Sequence, residues 1–354
     1  MRSLGRILIL ITAILGIVFY FNIQNGDEEI LLEDGTQKRG SNQDLSNNTS
    51  DEGTNSERPT EGVSTYIGMS IESLEENLGQ PNRVDQTYYG FDWWIYNTDP
   101  ANYSQIGVKD GKVVTVYAIG SEVNISPFKI GQHVDEIFSS SYVETEIGLD
   151  YEGSSYQFEL SESDLNTRPL LKMGDIFVQL YIDKFTATLS SFRVMDAETL
   201  LKLRPYELVY FGDLQEIEPD EMAPDEKVED ANEKQIYDIT NIMRMRFGLA
   251  TLQWDEKTAT VAYGHSKDME ESKTFSHTSE KFGELSDRLE AGEVFYQVAG
   301  ENIAANYADA PAVMEGWLNS KGHRESLLNE DFTHIGVGVY KKYYTQNFIQ
   351  AWEE

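Results

Sequence analysis

Hydrophobic and polar positions divide the 354-residue chain into four stretches of different periodicity. Residues 7–21 are apolar apart from breaks at Thr12 and Gly16, and no charge stands between Arg6 and Asp27. The 20 uncharged residues 7–26, wound as a helix, span about 30 Å, the thickness of the bilayer hydrocarbon, which predicts one N-terminal transmembrane helix. The run closes on Phe19, Tyr20, Phe21, Asn22 and Ile23 rather than a small-x-small site, so a signal anchor over residues 1–26 is expected in preference to a cleaved signal peptide. Arg2 and Arg6 on the short side place the C-terminal bulk outside the cell, single-pass in the cell membrane, or secreted if the segment is cleaved. Residues 27–65 are polar without periodicity and read as a disordered acidic stalk.

From residue 66 the pattern turns to short β-branched and aromatic runs between turn signals. Ser70 caps a helix over residues 71–78, and Gly79 with Pro81 stops it. Strands follow at 88–96, 103–108 and, after Asp110-Gly111, 112–119. A second round starts at Lys129, with a helix at 133–138 and strands at 155–160, 170–172, 176–182 and 186–195. The expectation is a mostly β domain over 66–212 containing a helix-plus-meander repeat. Phe91, Trp93 and Ile95 alternate toward its core, while Tyr88, Trp94 and Tyr96 form either an exposed platform or satellite packing. His133 is the domain's one histidine and carries no site by itself.

A second change comes after the acidic, Pro-containing segment 213–230, read as a linker. Residues 231–247 have the period of an amphipathic helix, with Ile236, Ile239, Ile242, Met243 and Phe247 on one side. Asp255 caps a second helix, in which Ala259, Ala262, His265, Ser266 and Met269 share a face. A looser helical stretch runs through Leu285 and Leu289, a third helix holds Pro311 in its first turn, and strands at 335–340 and 347–352 close the chain. Residues 231–354 are therefore expected to be a self-contained domain of an α+β protein.

The net charge of −33 argues against a nucleic-acid partner, because phosphate binding needs clustered Lys and Arg. Residues 22–65 hold ten acidic and three basic side chains, and 213–230 hold nine and one, so −15 of the charge sits in the two presumed spacers. The chain has no cysteine, which removes disulfides, thiolate metal sites and cysteine nucleophiles together.

Six groups of residues occur in a telling order: Asn241 with Arg244; Leu252-Gln253-Trp254-Asp255; Phe275-Ser276-His277; Gly300-Glu301-Asn302-Ile303; Trp317-Leu318-Asn319-Ser320 with Gly322-His323-Arg324; and Ile335-Gly336-Val337-Gly338. This series resembles the CAP superfamily (cysteine-rich secretory proteins, antigen 5 and pathogenesis-related 1, SCP-like) in its cysteine-free bacterial branch. The segment from 66 resembles the N-terminal domain found beside CAP domains in bacilli. The resemblance implies a three-layer α/β/α sandwich over 231–354, with a binding cleft at His277, Glu301, Asn302, Ser320 and His323. It also implies a divalent ion, with His277, Glu301 and His323 matching three of the family's four ligands. Ser320 stands at the usual place of the fourth, a glutamate. Glu315 is a possible substitute, but its helical position points it about 160° away from Trp317.

The residues alone leave alternatives open. Two imidazoles and one carboxylate suit Zn²⁺ with an open fourth position. A buried His277–Glu301 pair that fixes the cleft uses the same side chains without metal. His265 and His334 read as structural. Function divides accordingly into a cell-envelope binding module for a lipid, peptide or wall fragment, a metal-assisted hydrolase of envelope substrates, and a structural or signalling partner acting through the N-terminal domain.

Overall fold

The computed structural model describes residues 37–39, 56–215 and 223–352. The expected anchor over 7–26 lies outside them, as does most of the expected stalk; among the described residues no helix is long and apolar enough to cross a membrane.

After a short strand β1 (Gln37–Arg39), the first domain uses one unit twice. Its first copy is α1 (Ile71–Leu78) followed by β2 (Arg83–Gln86), β3 (Asp92–Tyr96), β4 (Ser104–Lys109) and β5 (Lys112–Ala118). The second holds α2 (Val134–Ser140), β6 (Glu146–Tyr151), β7 (Ser154–Glu159), α3 (Glu162–Thr167), β8 (Leu170–Met173), β9 (Ile176–Asp183) and β10 (Thr188–Met195). The equivalence extends to single hydrogen bonds. Gly68 N donates to Val113 O and Val113 N to Met69 O; in the second copy Gly131 N donates to Leu189 O and Leu189 N to Gln132 O. Each helix cap, Ser70 or His133, bridges the first residue of the unit's last strand, Lys112 or Thr188. His133 thus serves as a cap, its Nδ1 accepting from Asp135 N.

The copies join where β5 pairs antiparallel with β10, giving a seven-stranded sheet β2-β3-β4-β5-β10-β9-β8. A helix α4 (Ala197–Leu203) and strand β11 (Glu207–Phe211) follow, and β1-β11-β7-β6 form a second sheet. Asp110 and Gly111, at φ 50° and 74°, make the tight turn expected of them. The expected strand over 88–96 begins only at Asp92, because Thr87 Oγ1 bonds Phe91 O and Gly90 adopts φ 74°, making a turn out of residues 87–91.

The C-terminal domain runs α5 (Glu226–Arg246), β12 (Gln253–Trp254), α6 (Glu256–Ser272), α7 (Leu285–Ala291), β13 (Val298–Ala305), α8 (Ala310–Leu318), α9 (Lys321–Leu327), β14 (His334–Tyr340) and β15 (Tyr343–Gln350). Its sheet has the order β12-β14-β15-β13. α6 lies directly on one face: a Cβ at Gly336 would stand 2.1 Å from Ala259 N, and one at Gly338 1.8 Å from Tyr263 N. Those two glycines let a helix backbone touch a strand. α5 and α8 cover the other face, where Gln346 Nε2 donates to Thr240 Oγ1 at 2.7 Å. The result is the three-layer α/β/α arrangement.

Two boundaries differ from the sequence reading. α5 starts at Glu226 under the Asp225 cap, so the presumed linker supplies its first turn. Residues from Ser56 onward belong to the first domain, where Val63 is buried and Arg58 Nη2 donates to Ile67 O at 2.6 Å. The C-terminal domain also packs against the first. One hydrophobic cluster joins Tyr89, Phe91 and Trp93 of the first domain to Ile236, Met314 and Trp317 of the second. Arg193 pairs with Asp309 across the same boundary, both side chains buried, and Arg324 Nη2 reaches Asp183 at 3.0 Å. The Phe91, Trp93 and Ile95 face is therefore core, as its alternation indicates, but core shared between domains.

Candidate functional site

Glu301 is the centre of the candidate site. It sits on β13, an edge strand, and its side chain is only 3% exposed. His277, in the loop after α6, lies with Nδ1 2.9 Å from Glu301 Oε1. Arg288 on α7 donates Nη2 to Glu301 Oε2 at 2.6 Å, and its Nη1 donates to His277 O and Gly283 O at 2.8 and 2.9 Å. One guanidinium thus fixes both the carboxylate and the loop that carries the imidazole. His265 on α6 approaches from behind, Nε2 3.8 Å from Glu301 Oε1.

Burial would raise the Glu301 carboxyl, but the His277 hydrogen bond and the charges of His265 and Arg288 outweigh it and hold Glu301 below its ordinary range. Burial lowers the His265 imidazole below its ordinary range, against the pull of Glu301. The His277 side chain, at 34% exposure, is the face this cluster presents to solvent.

Asn302 follows Glu301 on the strand and so points to the opposite face of the sheet. Its Nδ2 donates to His323 O and to Gln346 Oε1, each at 3.1 Å. Ser320 Oγ lies 2.6 Å from His323 Nδ1. The five residues expected in one cleft thus fall into two hydrogen-bonded groups, His277 with Glu301, and Asn302 with Ser320 and His323. Glu315 faces neither: its Oε1 accepts from Ser190 and Ser191 of the first domain. His334 is held by Thr333 Oγ1 at 2.9 Å on the surface.

Among the described residues no group of three His, Asp or Glu side chains could hold a metal ion. The donor set explains why: both Glu301 oxygens are engaged, one by a guanidinium whose fixed positive charge stands where a cation would bind. These residues do not fit a divalent ion. Arg288 escapes sequence reasoning because a lone arginine 11 residues beyond His277 has no motif and acquires its role only when α7 docks on β13.

Comparison with known proteins accords with this architecture. Residues 67–206 match the family described as CAP-associated N-terminal, and residues 237–352 match the cysteine-rich secretory protein family. The chain is 47% identical over 354 residues to the uncharacterized membrane protein YlbC of Bacillus subtilis (strain 168), covering 99% of this chain and 100% of that one. The crystal structure of an extracellular protein containing a SCP domain from Bacillus anthracis str. Ames is similar at TM-score 0.78 and 46% identity, covering 84% of this chain and 98% of the other. A cysteine-rich secretory protein from Staphylococcus aureus subsp. aureus Mu50 is similar at TM-score 0.73 and 29% identity, covering 90% and 99%. The chain belongs to the cysteine-rich secretory protein (CAP) family, in the form that carries a CAP-associated N-terminal domain ahead of the CAP domain.

Proposed function

We propose that the chain is a membrane-held, extracytoplasmic binding module, whose His277–Glu301–Arg288 cluster captures a peptide-bearing fragment of the cell envelope without cleaving it. The location rests on the 20-residue uncharged run over 7–26, the membrane-protein relative and the extracellular structural neighbour. One observation carries the function: Glu301, the group best placed to activate water or ligate a metal, has its oxygens bonded to His277 and Arg288. A carboxylate held in this way orients neighbouring donors for binding and has little basicity left for proton abstraction. A polar cluster built round an ion pair also suits a peptide better than an acyl chain, whose burial demands an apolar lining.

Calorimetric titration of the full chain in detergent with a soluble wall digest tests this. Saturable heat, with an affinity that His277→Ala weakens about tenfold, or about 1.4 kcal/mol, is the expected result. Absence of heat, or heat that His277→Ala leaves unchanged, contradicts it.

A further inference from the structure

The sheet of the CAP domain has two edges, and the chain treats them differently. Beyond its short pairing with β12, β14 is covered by α5: Glu233 Oε1 accepts from Val339 N at 2.9 Å and Glu229 Oε1 from Lys341 N at 3.1 Å. Covering an edge in this way prevents other chains from pairing with it. At the opposite edge, β13 pairs with β15 from Val298 opposite Gln350 to Ala305 opposite Tyr343. The bond from Asn306 N to Lys342 O sets the phase: even-numbered residues of β13 bond β15, and Ala299, Glu301 and Ile303 turn their N–H and C=O groups outward.

Part of this edge is closed. Trp317 Nε1 donates to Ile303 O at 3.2 Å, and residues 302–305 are buried. The outward groups of Ala299 and Glu301 are bonded to no other element among the described residues, and both residues are only half-buried. Edge strands are normally guarded by charge, but here Val298 (41% exposed) and Phe295 (79% exposed) flank the opening. The window is two residues long and adjoins the His277–Glu301–Arg288 cluster.

We propose that a short extended peptide adds to β13 at Ala299–Glu301 as a fifth strand. This deepens the binding reading above and rests on it. Two N–H and two C=O groups match about three residues of extended chain, at roughly 3.3 Å each. The added strand's side chains alternate between the face of Glu301 and that of Val298 and Gly300. Polar residues then meet the His277 cluster, and apolar ones meet Val298. The ligand class is therefore a peptide alternating polar and apolar side chains.

The probe is acetyl-Thr-Val-Thr-Val-amide, titrated into the full chain in detergent beside two analogues N-methylated on alternate residues in the two possible phases. Strand addition requires that one phase cut affinity about tenfold, the size expected for backbone hydrogen bonds lost, while the other stays within about twofold. Equal behaviour of the two analogues, or no binding of the parent peptide, overturns the proposal. Ala299→Pro removes one outward N–H without breaking a ladder bond and should weaken the parent peptide similarly. If that variant fails to melt cooperatively, the comparison of methylation phases decides alone. Wall-digest binding lost in His277→Ala but intact in a folded Ala299→Pro would overturn the edge while leaving the cluster reading standing. A dimer of the full chain that Ala299→Pro turns into a monomer would assign the edge to a second copy and overturn the peptide.

Discussion

The Ser191 hydroxyl of the first domain donates to Glu315 Oε1 of the second at 2.6 Å, and Ser190 Oγ joins it at 3.1 Å. Glu315 Oε2 is buried without a partner among the described residues, and Arg246, the nearby cation, spends its guanidinium on Ser190 O and Ile119 O. Burial pushes the Glu315 carboxyl up to about 7 from an ordinary 4.5. The folded chain therefore binds this proton more tightly than the unfolded chain, and the stability it contributes is lost as pH rises from about 4.5 through about 7. The loss is on the order of 3 kcal/mol. Glu315→Gln should be more stable than the parent at pH 8 and lose the advantage at pH 4.5. Urea midpoints at the two pH values measure this; the same difference at both would show that Glu315 does not titrate at the interface.

Arg193 and Asp309 tie the domains by a buried ion pair, with Arg193 also 5.3 Å from the centroid of the Trp93 ring. Removing one partner leaves the other charge buried and unpaired, which costs about 3–5 kcal/mol. Asp309→Ala should lower the melting of both domains together, since they share one core. Calorimetry resolving two transitions, only one of them shifted, would mean that the domains unfold separately.

Gly338 and Gly322 should respond in opposite directions to alanine. A Cβ at Gly338 meets the Tyr263 backbone at 1.8 Å, whereas one at Gly322, in α9, meets nothing within 4 Å. Gly338→Ala should cost about 3 kcal/mol or more by prising α6 off the sheet. Gly322→Ala should stabilise by about 0.5–1 kcal/mol through helix propensity. Chemical denaturation of the two variants checks the contrast.

Arg288 supplies the positive charge that a metal would otherwise bring to Glu301. Zn²⁺ should leave the melting temperature of the parent unchanged, because binding to the folded form alone would raise it. Arg288→Glu sets a second carboxylate beside His277 and Glu301, and should confer a Zn²⁺-dependent rise that fades as pH falls through the histidine range near 6.5. A rise in the parent would contradict the role given to the guanidinium.

What the sequence reveals follows the range of each interaction. Ser70, Asp255 and Pro311 mark helix starts correctly because capping is local. The repeat is legible because each copy restarts with a capped helix, even though only the structure shows β5 and β10 fusing the copies. β2 is missed because Arg83 and Asp85 break its apolar pattern. The His277–Glu301 pair is legible through its motif, and Asn302, Ser320 and His323 through theirs. That Asn302 turns away from Glu301 depends on the phase of β13 within its sheet. Glu315 does point away from the cleft, as helical geometry requires, but its partners lie 124 and 125 residues earlier, in another domain. Arg288 is the extreme case, a residue with no local signal.

The His277–Glu301–Arg288 cluster is proposed to bind envelope peptide without hydrolysing it. Co-sedimentation of the full chain in detergent with purified, intact cell walls tests it most directly, with the release of soluble wall fragments followed in the same tubes. The prediction is retention on the walls with an apparent affinity that falls about tenfold in His277→Ala, a change of about 1.4 kcal/mol, with no fragments released above the protein-free control. Steady release of fragments by the parent, abolished in Glu301→Gln, would contradict the account and make Glu301 a catalytic group.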